Sequence, residues 1–250
     1  MRVLELWRHP VKSLQGERLE EAAIVPDGLA GDREWGIRDK ATGNVLTGRR
    51  EPLLLLASSR LLADGRPEMK LPDGRRLTGA TTETDAALSD WLGRNVALVP
   101  CNEPGRRVAE VFADATDDTS PAFEFTLADG HFVDTFPLLL LTTASLRQGA
   151  REHPAGVWDV RRFRPNVLID VDGTGWVEDD WSGKRVRVGD VALDAQARCE
   201  RCTMVTRPQP GLERDLDVYR TLARGHGATF GVWSSVQTPG VVRVGDDVVV

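Results

Sequence analysis

Two cysteines three positions apart, Cys199 and Cys202, stand in the stretch ARCERCTMVTRP and are the residues best suited to chemistry. The third cysteine, Cys101, is about a hundred residues away in the sequence. Positive charge surrounds the pair, from Arg198, Arg201 and Arg207. Such charge favours the thiolate, which is the form of cysteine that binds a metal. The stretch is therefore a candidate for metal binding or for dithiol chemistry.

The pattern leaves several alternatives open. A structural zinc site needs four ligands, usually two close pairs, whereas this chain has one close pair and four scattered histidines. A reactive dithiol normally begins a helix, but Thr-Met-Val-Thr-Arg-Pro after Cys202 favours a strand or a loop. Two inert, buried cysteines are the ordinary alternative. A single thiolate can also complete a transition metal whose other ligands come from a cofactor.

Four further stretches carry side chains that suit an oxygen-rich anion: HPVKSLQG, GLAGDREWG, FVDTFPLLLLTTASL and RRFRPNVLID. The ammonium of Lys12 and the hydroxyl of Ser13 can both contact a phosphate. Asn166 offers a donor and an acceptor to the edge of a heterocycle. Each stretch alone is also explained by a turn or a cap. The candidate binding residues are Lys12, Ser13, Arg33, Asp134, Thr135, Arg164 and Asn166.

Strands must position most of these residues, since β patterns outnumber helical ones. We expect a first strand at 3–8 and two more at 33–39 and 43–49, on either side of a turn. The near-duplicates KRVRVGDVALDA (184–195) and GVVRVGDDVVV (240–250) each predict a hairpin with a Gly-Asp turn. They indicate a barrel-like antiparallel domain that ends with the last strand.

Three helices are predicted. Residues 82–93 have Thr82 and Asp85 at the spacing of a capping box and Gly93 as a stop. Residues 142–152 follow an apolar run that predicts a buried strand, and residues 212–227 have apolar side chains near helical spacing. The fold class is therefore α+β and predominantly β. The best boundary candidate is the Arg-, Pro- and Gly-rich stretch at 100–107.

Composition narrows the function classes. The chain has 250 residues, 41% of them hydrophobic and 28% charged, as in ordinary globular proteins. Its net charge of −6 argues against nucleic acid as a partner. The longest apolar run is too short to cross a membrane, and the start of the chain has no apolar signal region. An odd cysteine count does not predict a disulfide framework, so we expect a cytoplasmic protein.

Eight stretches, taken in order, resemble the MOSC family, named after the carboxyl-terminal domain of molybdenum cofactor sulfurase. The resemblance is to its two-part members, which are similar to the amidoxime-reducing components. It implies a β-rich amino-terminal subdomain at 1–105, a MOSC β-barrel at 106–250 and a cofactor between them. The stretches are HPVKSLQG, GLAGDREW, TGRREPLLLL, VDTFPLLLLTTASL, FRPNVLID, EDDW, CERCTMVT and GVVRVGDDVVV.

The resemblance also implies roles for individual residues. Cys202 is implied to ligate molybdenum and to be catalytic, with Cys199 as a neighbouring structural thiol. The implied cofactor is molybdopterin with its metal, and arginine and lysine groups offset its anionic character. The residues implied to bind it are Lys12, Ser13, Arg33, Asp134, Thr135, Arg164, Asn166 and Arg201.

The implied activity is reduction of N-hydroxylated small molecules, such as hydroxylamines and amidoximes. The chain has neither a second cysteine cluster for iron and sulfur nor a glycine fingerprint for flavin or nicotinamide, so a separate donor protein is expected to supply electrons. Candidate proton donors are Asp134, Glu178, Asp179 and Asp180. The alternatives are a sulfur carrier with a persulfide on Cys202, and a module that holds the cofactor without turnover.

Two features set limits on this interpretation. Pyridoxal phosphate is associated with the family by name, but no lysine in the sequence has surroundings that favour a Schiff base. After the cysteines, Arg207 stands where similar reductases tend to have an acidic residue. That change puts the substrate preference in doubt.

Overall fold

The computed structural model describes residues 1–114, 117 and 119–250. Its helices are α1 (Thr82–Leu92), α2 (Thr143–Glu152) and α3 (Leu216–His226). Its strands are β1 (Arg2–Arg8), β2 (Glu17–Leu19), β3 (Glu21–Val25), β4 (Gly28–Leu29), β5 (Trp35–Asp39), β6 (Ser58–Leu61), β7 (Pro67–Lys70), β8 (Arg76–Thr78), β9 (Val96–Pro100), β10 (Val108–Phe112), β11 (Ala122–Thr126), β12 (Leu138–Thr142), β13 (Val167–Asp170), β14 (Arg185–Val188), β15 (Val191–Glu200), β16 (Thr229–Thr238), β17 (Gly240–Arg243) and β18 (Val248–Val249). The α+β, predominantly β class is confirmed.

The chain divides into two compact units. The large unit comprises Met1–Trp7, Arg18–Ala30 and Phe136–Val250, and the inserted unit comprises Arg8–Glu17 and Gly31–Thr135. Each unit is therefore discontinuous in sequence. The domain boundary predicted near residue 105 stays a prediction.

The large unit is built on a sheet with the strand order β18-β14-β15-β16-β12-β13-β1-β2. The central strands β12 and β13 run parallel, and β12 pairs antiparallel with β16 on its other side. All five residues of β12 are buried, because this strand lies inside the sheet. The apolar run at 138–142 thus forms the buried strand that the sequence predicts, and α2 follows it directly.

One of the two predicted hairpins is confirmed and the other is wrong. Strands β14 and β15 pair antiparallel around Gly189, whose φ of 56° lies in the left-handed region. In contrast, β17 pairs with β3, and β18 pairs with β14. The segment between them hydrogen-bonds elsewhere, since the amides of Val244 and Gly245 donate to the main-chain oxygens of Glu20 and Val3. Identical turn residues therefore connect strands of different sheets.

The inserted unit contains three small sheets and α1. Strand β5 pairs with β9, β10 pairs with β11, and β6, β7 and β8 form a meander. The predicted strand at 43–49 is wrong: it is reduced to a single bridge between Val45 and Arg38. The chain turns there because the amides of Arg50 and Glu51 both donate to the main-chain oxygen of Thr47.

The predicted helices are present, with shifted starts. Thr81, not Thr82, caps α1 by accepting from the amide of Thr84, and Gly93 ends the helix with a φ of 63°. Asp215 caps α3, which begins at Leu216 instead of residue 212. The helix predicted at 142–152 is confirmed, with Thr142 as its cap. Within the described residues, no helix has the length and apolar character needed to cross a bilayer.

Candidate functional site

Cys199 and Cys202 have different environments. Cys199 lies on β15 with 3% of its surface exposed, while Cys202 is partly exposed and follows the end of that strand. Cys202 has an extended backbone, with φ of −121° and ψ of −179°. A short 3₁₀ helix, Thr203–Thr206, comes next, where the sequence favoured a strand or a loop. Neither of these two cysteines forms a disulfide, and Cys202 is the more accessible of the two.

Arg162 holds the segment after Cys202. This arginine is 2% exposed and lies in the stretch RRFRPN, where the sequence pattern indicated Arg164 instead. Its guanidinium donates only to main-chain oxygens in the contacts observed, at 2.8–3.4 Å, those of Val157, Val205, Arg207 and Glu213. The positive charge of Arg162 is thus used to fix the backbone that follows the cysteine.

Arg201, the residue before Cys202, is fixed from two sides. Its Nε donates to the main-chain oxygen of Phe230 at 2.9 Å, and its Nη1 donates to that of Phe163 at 3.1 Å. Its Nη2 is buried and has no hydrogen-bond partner among the described residues. A buried guanidinium N–H without an acceptor is costly. An anionic group within reach of Nη2 would supply that acceptor, so Arg201 fits an anionic cofactor.

Arg164 and Asn166 lie on the approach to β13. Arg164 is 5% exposed, and its amide donates to the main-chain oxygen of Val160 at 3.1 Å. Asn166 is fully buried, accepts from the amide of Leu139 at 3.1 Å and donates to the main-chain oxygen of Trp7 at 3.4 Å. The side chain of Asn166 therefore ties β1 to the start of β12, and its predicted cofactor contact stays a prediction.

The inserted unit gathers several predicted residues around Asp134. The Nζ of Lys12 donates to Asp134 Oδ1 at 2.6 Å and to the main-chain oxygen of Phe132 at 2.8 Å. Arg49, which is not among the predicted binding residues, pairs with the other oxygen of Asp134. Burial lowers the pKa of Lys12, and the charge of Asp134 acts in the opposite direction. Only the stretch TGRRE, quoted for the resemblance, pointed to Arg49.

Asp134 is a carboxylate, not a proton donor. Burial would raise its pKa, but the charges of Arg49 and Lys12 outweigh burial and hold that pKa well below its usual range. The carboxyl group therefore stays ionised at neutral pH. Asp134 is therefore excluded as a general acid, because its cationic neighbours keep its carboxyl group ionised.

Arg33, Ser13 and Thr135 complete the predicted set in this unit. Arg33 pairs with the buried Asp32, which also accepts from the amide of His9 at 2.6 Å. The hydroxyl of Ser13 accepts from the amide of Gly48 at 2.9 Å, and Thr135 is exposed. The cluster Lys12, Arg33, Arg49, Asp32 and Asp134 thus has three cations and two carboxylates, a net charge of about +1.

Backbone strain coincides with the predicted site residues. Among the described residues that are not glycine, four have a left-handed φ, between 53° and 71°: Ser13, Arg33, Arg164 and Ala228. Such backbone is costly for a residue with a Cβ, and it concentrates at functional sites. Three of the four were selected from the sequence for other reasons, namely Ser13, Arg33 and Arg164. The structure supports their importance without assigning a ligand.

The acidic stretch at 178–180 belongs to the large unit. Glu178 is 1% exposed and accepts from the hydroxyls of Thr142 and Ser145 at 2.7 and 2.6 Å. Burial raises the pKa of Glu178, and those two hydrogen bonds oppose the rise. Asp180 is exposed. Glu178 therefore joins its 3₁₀ helix, Val177–Trp181, to the start of α2.

A metal site made of protein ligands alone has no support in the described part of the chain. No three His, Cys, Asp or Glu side chains come together there as ligands. A zinc site of the usual kind needs four. Of the two cysteines in this stretch, Cys202 is thus the accessible one.

Two family models match the chain in the predicted order. The model of the MOSC N-terminal β-barrel domain matches residues 1–114, and the model of the MOSC domain matches residues 128–249. Together they leave few residues unmatched. A two-part architecture of an amino-terminal β-barrel and a MOSC domain defines the class, and the chain belongs to the MOSC family.

Proteins of more than one kind are similar to this chain. Mitochondrial amidoxime-reducing component 1 of Mus musculus is 27% identical over 98% of this chain and 81% of its own length. Molybdenum cofactor sulfurase of Drosophila grimshawi is 28% identical over 93% of this chain, which spans 32% of that protein. The solved structure of the YuaD protein from Bacillus subtilis is 12% identical, with a TM-score of 0.48, and the match covers 99% of this chain and 93% of that one.

Proposed function

We propose that the chain binds the molybdenum cofactor through Cys202 and reduces N-hydroxylated compounds such as hydroxylamines and amidoximes. The observation that carries the proposal is that the partly exposed Cys202 directly follows Arg201 in the chain, whose Nη2 is buried and unpartnered. A thiolate ligand and a donor for an anion are what a metal held by an anionic pterin requires. The similarity to the amidoxime-reducing component supports the choice of reaction.

The binding residues in this proposal are the ones that the resemblance implies. In the large unit, Cys202 would ligate the metal, while Arg201 and Arg164 would bind the anionic pterin. In the inserted unit, Lys12, Ser13 and Arg33 would bind phosphate and polar edges, with Asp134 and Thr135 beside them. When bound, the cofactor supplies a metal that exchanges two electrons and takes an oxygen atom from the substrate.

Asp134 would act on binding, not on proton transfer. Its carboxylate already neutralises part of the charge on Lys12 and Arg49, which are its two cationic partners. An anionic ligand must therefore share these cations with Asp134, and the net charge of the cluster stays close to neutral. This arrangement favours a ligand with one weakly held phosphate over a highly charged polyphosphate.

Electrons would come from a separate donor protein, as the sequence predicts. The test of the reaction uses protein purified from a host that makes the cofactor, a simple aromatic amidoxime and a reduced viologen dye. With the dye, we expect the amidoxime to be converted to an equal amount of amidine. With NADH alone, we expect no turnover. A molybdenum-loaded protein that yields no amidine with the dye would refute the reductase proposal.

Sulfur transfer is the second candidate, because a molybdenum cofactor sulfurase is also similar to this chain. In that case Cys202, the more accessible thiol of the pair, would carry a persulfide. Mass spectrometry of the intact protein separates the two candidates. An added sulfur atom on Cys202 in metal-free protein would favour the carrier. The predicted cytoplasmic location, the absence of nucleic-acid and membrane partners and the family association with pyridoxal phosphate all stay untested predictions.

A further inference from the structure

Strand β11 is the outer strand of a two-stranded ribbon in the inserted unit. It pairs antiparallel with β10 over all five of its residues. The far edge of β10 is attached to the rest of the unit, because the amide of Val45 donates to the main-chain oxygen of Val108 at 2.8 Å. Among the residues that the structure describes, no further strand pairs with β11. One edge of the ribbon is therefore open.

The hydrogen-bond pattern identifies the main-chain groups on this open edge. The amide of Leu127 donates to the main-chain oxygen of Arg107 at 2.7 Å, and hydrogen-bonded residue pairs alternate with non-bonded ones along an antiparallel ladder. Phe125 and Phe123 therefore bond to β10. The residues whose N–H and C=O groups point outward are Ala122, Glu124 and Thr126. Within the described part of the chain, these outward groups have no hydrogen-bond partner.

Aromatic side chains flank the centre of β11. Phe123 is 52% exposed, which is unusual for a large apolar side chain. Phe125 lies on the same face of the strand and is half-buried, with the guanidinium of Arg49 5.7 Å from its ring centroid. Between them, Glu124 points to the opposite face. An open strand edge with exposed aromatic residues is a template for another strand.

The sequence of β11, AFEFT, is self-complementary when two copies pair antiparallel about Glu124. Phe123 of each copy then lies opposite Phe125 of the other. These aromatic pairs fall at non-hydrogen-bonded positions, where side chains of opposite strands approach most closely. The outward N–H and C=O groups meet at the remaining positions and bond to each other. One patch thus serves both copies, as a two-fold interface requires.

The two facing glutamates are compatible with this pairing. Glu124 Oε2 accepts from Arg106 at 2.7 Å, and its Oε1 accepts from the amide nitrogen of Asn44 at 3.0 Å. Asn44 also donates to Glu110 of β10 at 3.4 Å, so the carboxylate of Glu124 leans toward β10 and away from the open edge. Arg106 offsets its charge. Repulsion between the two copies is reduced for both reasons.

We propose that two copies of the chain associate through β11 and form a continuous sheet with the order β10-β11-β11-β10. A two-stranded ribbon is marginally stable by itself, and added strands stabilise it. Each copy contributes one short strand, so the dimer is reversible and dissociates on dilution. The pairing concerns assembly and does not depend on the proposed cofactor chemistry.

The first test is sedimentation velocity of the full chain from about 5 to 500 µM, where we expect a monomer–dimer equilibrium. Glu124→Pro removes the outward N–H and leaves the bonds to β10 intact, so it should weaken the association at least about tenfold. The matched control is Glu124→Ala. It keeps the N–H and removes the facing carboxylates, so it should dimerise as tightly as the wild type or more tightly.

The second variant, Phe123→Lys, places a charge in the aromatic pairs and should also weaken the association at least about tenfold. It serves if the proline variant fails to fold, which thermal unfolding checks. Its control is Val157→Lys, which adds the same charge at a 55% exposed apolar position of the large unit. This control should dimerise like the wild type.

Hydrogen exchange shows which edge is used. The amides of Ala122, Glu124 and Thr126 should exchange more slowly in concentrated than in dilute protein. The amides of Phe123 and Phe125 should change little, because they bond to β10 in both states. A protein that stays monomeric throughout would overturn the proposal and leave the open edge to a strand of a different protein. A dimer that neither Glu124→Pro nor Phe123→Lys weakens would also overturn it, because another surface would then hold the copies together.

Discussion

The Nη2 of Arg162 donates to the main-chain oxygen of Glu213 at 2.8 Å, across 51 residues of sequence. The same guanidinium holds the main-chain oxygens of Val205 and Arg207, so one side chain fixes much of the segment after Cys202. Burying an arginine is costly unless its N–H groups find acceptors. Here backbone oxygens, not a carboxylate, provide them.

Replacing Arg162 with alanine should lower the free energy of unfolding by about 3 kcal/mol, because buried main-chain oxygens lose their donors. The matched control is Arg161→Ala. Arg161 is next in sequence but 31% exposed in its side chain and paired with Asp159, so its loss should cost less than about 1 kcal/mol. Urea unfolding measures both values. Equal losses would show that Arg162 does not hold the segment.

Asp134→Asn should destabilise the protein at pH 7 and have less effect in acid. The pKa of Asp134 is depressed in the folded state, so its stabilising contribution is present above the pKa of the unfolded chain, about 3.8, and is lost as the pH falls further. The difference in urea midpoint between the wild type and the variant should therefore stay constant from pH 7 to pH 5 and shrink as the pH falls from 4 to 2. Asp180→Asn, at an exposed position, is the control. A difference that does not change with pH would contradict the ion pairs with Lys12 and Arg49.

Glu178→Gln should show the opposite dependence on pH. Burial raises the pKa of Glu178 in the folded state, so its contribution to stability is largest below the unfolded value, near 4.5, and is lost as the pH rises. Glutamine has no charge to desolvate and can still accept from Thr142 and Ser145. Relative to the wild type, the variant should gain stability from pH 4 to pH 8. A difference in stability between the variant and the wild type that stays constant over that range would contradict this prediction. It would mean that the Glu178 carboxylate is well solvated, or that its hydrogen bonds fully compensate for its burial.

The sequence predicted the elements whose patterns are local. The apolar run of β12 with its capping threonine, and the hairpin around Gly189, depend on neighbouring residues and are confirmed. Strand pairing between distant segments is not local. The repeat of RVGD near the end of the chain therefore predicted a hairpin, whereas β17 pairs with β3 and β18 pairs with β14.

The residues of the candidate site also divide into those that could be predicted from their own type and those that depend on distant contacts. Residue types selected Cys202, Lys12 and Arg33, because thiols, ammonium and guanidinium groups carry their chemistry in any context. Arg49 and Arg162 were missed, since their importance comes from contacts with residues far away in the sequence. Asn166 also has a role that its residue type does not predict, since its amide joins two strands, while its cofactor contact stays a prediction.

The central claim is that the sulfur of Cys202 binds molybdenum. The most direct test is the molybdenum and pterin content of protein purified from a host that makes the cofactor. We expect close to one molybdenum per chain in the wild type and in Cys199→Ala, and a loss of at least tenfold in Cys202→Ala, whose fold is checked by thermal unfolding. Equal molybdenum content in the wild type and in a folded Cys202→Ala variant would contradict the account.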